Sequence, residues 1–192
     1  LKTSKKGAKP TFWKEVIIVL AFIIVIFSIW VFARKKEPKE IDNYSEIVNG
    51  SYDSDEDFSM YVDKFYRDLE ILGIYPVKPN KVIIKFSNLD KMASTTHIHG
   101  ISFGYGNDEV IEIYINPSSW KKFNRAQKYF LMYHELSHDI LNLDDLDADN
   151  VNKGRLMFPN IESYDKITMD EFIESYQLLF EEVAAEKVMN GD

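Results

Sequence analysis

The sequence has no cysteine, only six prolines and eight glycines in 192 residues. No disulfide framework is therefore available, no thiolate can hold or block a metal, and thiol usage carries no compartment signal. Histidine is nearly as scarce, its four copies falling in two close pairs, His97 with His99 and His134 with His138. Basic residues are sparse over most of the chain. The first 36 residues hold eight of the 23 Lys and Arg but one of the 31 Asp and Glu, so the remainder carries about −15. Phosphate contacts need a basic face, and nucleic acid is not an expected partner.

Long apolar runs are lacking too, with one exception. Residues 16–33 read VIIVLAFIIVIFSIWVFA, eighteen positions without a charge, bracketed by Trp13 and Lys14 and by Arg34, Lys35 and Lys36. That length matches a bilayer core, and the rims suit its interface. A signal peptide cleaved near Val31 and Ala33 is the alternative, but the run exceeds the usual apolar length of such leaders. The expected organisation is a basic tail over 1–15, a transmembrane anchor over 16–33, a flexible acidic linker over 34–57 and one domain over 58–192. The basic counts on the two sides of the span are nearly even, and the domain is placed outside the cytoplasm.

Within the domain, Phe58, Tyr61, Val62, Phe65, Leu69 and Leu72 recur at helical steps and end at Gly73, with Asp53 or Ser54 as the cap. Residues 81–86 have the β-branched content of a strand. Two further strand-like runs, 96–105 and 109–115, flank Gly106-Asn107-Asp108 and predict a hairpin. The segment 116–119 breaks the strand. Thr168 with Glu171 forms a capping box that opens a last helix carrying Phe172, Ile173, Tyr176, Leu179, Phe180 and Val183. The fold class expected is α+β: a transmembrane helix, then a compact domain with a small mixed sheet, an active-site helix and a C-terminal helix.

The chemistry is concentrated in Tyr133-His134-Glu135-Leu136-Ser137-His138. On a helix two imidazoles four residues apart share a face and can reach one Zn²⁺. Glu135 then stands beside the metal without ligating it, placed to take a proton from an activated water. HExxH arises by chance on solvated helices, but Ala126, Phe130, Tyr133, Ser137 and Ile140 mark this helix as core-packed. Burying two histidines and a glutamate there is costly unless a cation compensates. Asn124 with Gln127 predicts its N-terminus and Asn142, which tolerates the left-handed conformation, its end. His97 and His99 share a strand face, a weaker metal pattern, in a segment also suited to pairing with an extended peptide.

These residues resemble the metzincins, zinc peptidases with the pattern HExxHxxGxxH and a methionine turn. The resemblance rests on His134, Glu135, His138, Asn142, an aspartate in the third-ligand region and Leu156-Met157-Phe158-Pro159, and covers about the last 80 residues. It implies a mixed sheet over the active helix, a cleft under its edge strand, and Met157 beneath the ligands. Strict spacing puts Leu141 at the family's glycine and Asp144 at its third histidine, a substitution similar to the snapalysin-type branch. If Asn142 makes the turn, the ligand three residues on is Asp145, and the backbone argument prefers it. The tyrosine some members carry after the methionine turn is missing, Pro159 standing two residues on, with Tyr164 as the substitute. A gluzincin-type site would instead take Glu181 or Glu182 from the last helix.

The expected function is a membrane-anchored zinc endopeptidase, with Zn²⁺ on His134, His138 and Asp145, Glu135 as general base, and a protein or peptide as substrate. The alternative is a catalytically silent structural or binding protein built on the same scaffold.

Overall fold

The computed structural model describes residues 51–91, 98–106, 109–159 and 166–190. All belong to one compact unit. The elements run β1 (Ser51–Ser54), α1 (Ser59–Ile71), β2 (Lys81–Phe86), a 3-10 turn (Leu89–Lys91), β3 (Gly100–Ser102), β4 (Val110–Ile115), α2 (Pro117–Lys122), α3 (Arg125–Leu141) and α4 (Met169–Asn190).

The sheet is small and mixed, in the order β1-β2-β4-β3. β1 and β4 both run parallel to β2, while β3 pairs antiparallel with β4 in the register Gly100↔Ile115, Ile101↔Tyr114 and Ser102↔Ile113. The expected strand over 81–86 and the hairpin partners are thus present, with β3 at a sheet edge. Val82, Ile84, Ile111, Ile113 and Ile115 are buried at alternate positions, so one face of the sheet makes the core.

The α+β class with a mixed sheet stands, but the expected class is corrected in one part. It included a transmembrane helix, and among the described residues no helix is long and apolar enough to cross a membrane. The longest of them, α4, carries Asp170, Glu171, Glu174, Glu181, Glu182, Glu186 and Lys187 along its length. Residues 1–15 and 16–33, read as tail and anchor, lie outside the described residues.

Two local expectations also change. Ser51–Ser54, assigned to the flexible linker, is the edge strand β1. Short and polar, it has no apolar alternation to announce it; the acids that follow tie it down instead. Asp53 pairs with Lys85 at 2.6 Å, Asp55 accepts from the Phe86 amide at 2.8 Å, and Glu56 accepts from the Trp120 indole at 2.8 Å. The cap of α1 falls at Phe58 rather than at Asp53 or Ser54, with the Asp57 carboxylate accepting from the Ser59 amide at 3.1 Å. The break at 116–119 is in fact the short helix α2, because Asn116 caps it and Pro117 supplies a preset first turn.

α3 is held from both sides. Its Tyr133 ring meets Phe65 of α1 at 5.1 Å and Phe172 and Tyr176 of α4 at 4.9 and 5.2 Å between centroids. The Tyr133 hydroxyl donates to the buried Asp68 carboxylate at 2.7 Å. Each fully buried phenylalanine contributes roughly 1.5–3 kcal/mol, more than the roughly 1 kcal/mol of a typical hydrogen bond. Aromatic packing therefore dominates in fixing the helix, and one face of it is left to look out over β3.

Candidate metal centre

Both ends of α3 are set by asparagine. At the start, Asn124 and Gln127 form the expected capping box, each side chain satisfying the other's backbone amide at 2.8–2.9 Å. At the end, Asn142 takes the left-handed conformation at φ 53°, ψ 42°. Because Asn142 and not Leu141 makes the turn, the chain doubles back one residue later than strict family spacing has it. Asp145, not Asp144, then reaches the two histidines.

His134, His138 and Asp145 each offer one atom to a group whose members lie within 4.8 Å of one another. The three edges are nearly equal: 3.1 Å between the two Nε2 atoms, and 3.3 and 3.5 Å from them to Asp145 Oδ1. Bonds of about 2.0–2.1 Å at tetrahedral angles require ligand atoms about 3.3 Å apart. The triangle is therefore zinc-sized.

The imidazole protons point the same way. His134 Nδ1 lies 2.8 Å from the Leu156 carbonyl and His138 Nδ1 2.5 Å from the Leu143 carbonyl. A carbonyl only accepts, so each Nδ1 carries the proton and each Nε2 presents a lone pair. Two lone pairs and a carboxylate then converge, an arrangement that needs a cation or a proton. Burial disfavours protonation of His138, yet Asp145, the Leu143 carbonyl and Glu135 outweigh it and raise its pKa. Burial likewise opposes ionisation of Asp145, but its hydrogen bonds to His134 and His138 hold it far below the usual carboxylate range.

A pH dependence follows from these signs. Zinc must displace a proton from His138, whose pKa is raised above the ordinary imidazole value, so apparent affinity should fall as pH drops, by about tenfold per unit once below that raised pKa, and level off above it. Competition titrations at pH 8, 7 and 6 check this; equal affinity at pH 6 and 8 would rule out binding through neutral imidazoles.

The segment 155–159 supports the site from below. The Phe158 amide closes a turn onto the Arg155 carbonyl at 3.0 Å, and the Met157 carbonyl accepts from the Leu146 amide at 2.8 Å. Leu156, Met157 and Phe158 are buried. The turn thus holds both His134 and the loop that carries Asp145.

Glu135 sits beside the triangle, buried under β3, and burial raises its pKa against the lowering pull of His134 and His138. The Ser102 amide also holds its charged form. Gly100 lies directly overhead, where a Cβ would stand 2.6 Å from Glu135 Oε1 and force that carboxylate to shift. Together these residues line a cleft of about 380 Å³. Its walls are Ile98 to Ser102 and Tyr105 on the strand side, Leu131, His134, Glu135 and His138 on the helix side, and Asp145, Phe158 and Pro159 at the end.

The other candidates are not drawn in. Asp144 is exposed and outside the group. Glu181 and Glu182 are also exposed, and Glu182 pairs with Arg155. His99 lines the cleft with Nδ1 2.7 Å from Ser119 Oγ but is not one of the grouped ligands, while His97 and Tyr164 lie outside the described residues.

Sequence reasoning missed the residues that seat the strand on the helix: Gly100, Gly104 and Asp139. Asp139 follows the second histidine and is almost fully buried. Burial pushes its carboxyl up to about 6, although the Glu112 and Gly104 amides and the Ser102 side chain all favour its ionised form. The residues around it gave no signal of this, because its partners Ser102 and Glu112 lie 37 and 27 residues away in sequence. No family model, no curated protein and no solved structure matches this chain.

Proposed function

We propose that the chain is a zinc-dependent peptide hydrolase of metzincin-like design. What carries the reading is the nearly equilateral triangle of His134 Nε2, His138 Nε2 and Asp145 Oδ1, next to a buried glutamate and at the foot of a cleft whose wall is a sheet edge. Zinc held there supplies Lewis-acid chemistry, acidifying a water and polarising an amide carbonyl.

The chain's own residues do the rest. Glu135 is ionised in its working state, takes a proton from the attacking water and returns it to the departing amine. Its raised pKa suits both directions of that transfer. Among the described residues β3 is the edge strand of the sheet beside the cleft, where an extended peptide can add as a further strand and so lie across Glu135. Apolar Ile98, Leu131, Phe158 and Pro159 offer space for a non-polar side chain beside the bond to be cut. The turn at Leu156 to Phe158 plays the part of the methionine turn.

Purified protein should contain one zinc per chain and cleave a generic quenched peptide; a chelator should abolish cleavage and added zinc restore it. Bound zinc without turnover on any peptide would favour the silent scaffold, and absence of zinc would remove both readings.

A further inference from the structure

The antiparallel pair β3–β4 stops abruptly, and the cause lies on α3. Beyond Ser102↔Ile113 the Phe103 amide still donates to the Glu112 carbonyl at 2.8 Å. The return bond is missing: the Glu112 amide donates instead to Asp139 Oδ2 at 3.1 Å. The same oxygen accepts from Ser102 Oγ at 2.9 Å, and the Gly104 amide also bonds this carboxylate. One buried acid thus substitutes for a strand at the point where β3 leaves the sheet.

Space is arranged to match. A Cβ at Gly104 would overlap all three carboxyl atoms of Asp139, as a Cβ at Gly100 would overlap the Glu135 carboxylate. The chain from β3 onward therefore rests on α3 at two glycines, Gly100 over Glu135 and Gly104 over Asp139. A methyl group at either position would force the acid beneath it to move.

We propose that Asp139 is a positioning residue, its carboxylate ending the β3–β4 ladder and clamping the cleft wall at a set height above Glu135. It touches neither the zinc-sized triangle nor the cleft. It acts on substrate only through the strand, so it should govern peptide binding far more than turnover. This rests on the peptide-hydrolase reading for its kinetic part, whereas the clamp itself can be read without activity.

The variants are Asp139→Asn, Gly104→Ala and Ser102→Ala in zinc-loaded protein. Asparagine keeps the shape but leaves one good acceptor where donors from three residues converge. Amide hydrogen exchange at Gly104 and Glu112 should accelerate about tenfold or more, the weight of one lost buried hydrogen bond. The α3 amides at Leu136 and Ser137 and the zinc content should not change. For an extended peptide, KM should rise about tenfold with kcat within about threefold. Ser102→Ala should move the same quantities less, and Gly104→Ala should reproduce the Asp139→Asn pattern. Unchanged exchange at Gly104 and Glu112 would overturn the proposal, as would a fall in kcat at constant KM or a loss of zinc. If Asp139→Asn does not fold, Gly104→Ala and Ser102→Ala decide by the same readouts. If the parent protein shows no turnover, the hydrolase reading fails, and exchange alone decides the clamp.

Discussion

Glu135→Gln should bind zinc as the parent does and lose turnover by about 10²–10⁴-fold, the usual weight of a positioned general base. Glutamine has the same size, so it fits beneath Gly100, where Oε1 has no room to spare. Its amide oxygen can still accept from the Ser102 backbone, the contact that favours the charged form of Glu135. What it lacks is a site to take and return a proton. Metal content and thermal stability on one hand, and single-turnover rates on the other, therefore separate cleanly. A glutamine variant with full activity would refute the role assigned to Glu135. Loss of zinc in the same variant would mean that the substitution disturbed the ligands and tested nothing about proton transfer, in which case Glu135→Asp, shorter by one methylene, takes its place.

The second large effect concerns the ligands. Complete structural zinc sites are worth about 10–16 kcal/mol, so removing one of three protein ligands should weaken binding by roughly 10³-fold. His134→Ala, His138→Ala and Asp145→Ala should each do so. Asp144→Ala and Glu182→Ala should leave affinity within about threefold, because their carboxylates are exposed and outside the group. Stability reports the same thing. Free zinc at 100 times Kd adds about 2.7 kcal/mol, a rise in Tm of roughly 5–10 °C for a domain of this size. The ligand variants should lose most of that rise and the control variants none. A zinc-dependent Tm that survives Asp145→Ala but vanishes with Asp144→Ala would move the third ligand back to the strict family spacing.

Much of the site was legible because the signals are local. HExxH needs only a helix to bring His134 and His138 to one face, and the apolar positions around it identify the helix. Asn124 and Gln127 cap within four residues of one another. The choice of Asp145 over Asp144 was also local, since it turned on which of Leu141 and Asn142 adopts a positive φ, and the backbone penalty for leucine answered it. β2, β4 and α4 were readable from their periods for the same reason.

The missed features are those whose partners are distant in sequence. β1 has no period of its own and exists because β2, about thirty residues on, offers it an edge. Asp139 reads as one more acid on a helix until Ser102, Gly104 and Glu112 are seen around it. Gly100 and Gly104 look like ordinary flexible positions until Glu135 and Asp139 prove to lie where their side chains would be. The transmembrane helix written into the fold class belongs to residues outside those described, and the described helices are too charged to replace it.

By itself, then, the sequence determined which helix bears the paired histidines, where that helix begins and ends, and which carboxylate follows within reach of them. These depend on backbone preferences and side-chain periods that act over a few residues. Only the tertiary structure decided that the three side-chain atoms form a zinc-sized triangle, that the Leu156 carbonyl orients the His134 imidazole, and that the chain beside the cleft rests on two glycines over two buried acids. Such arrangements arise when strand and helix pack to within a methyl group of each other, and that distance is set by the whole core at once.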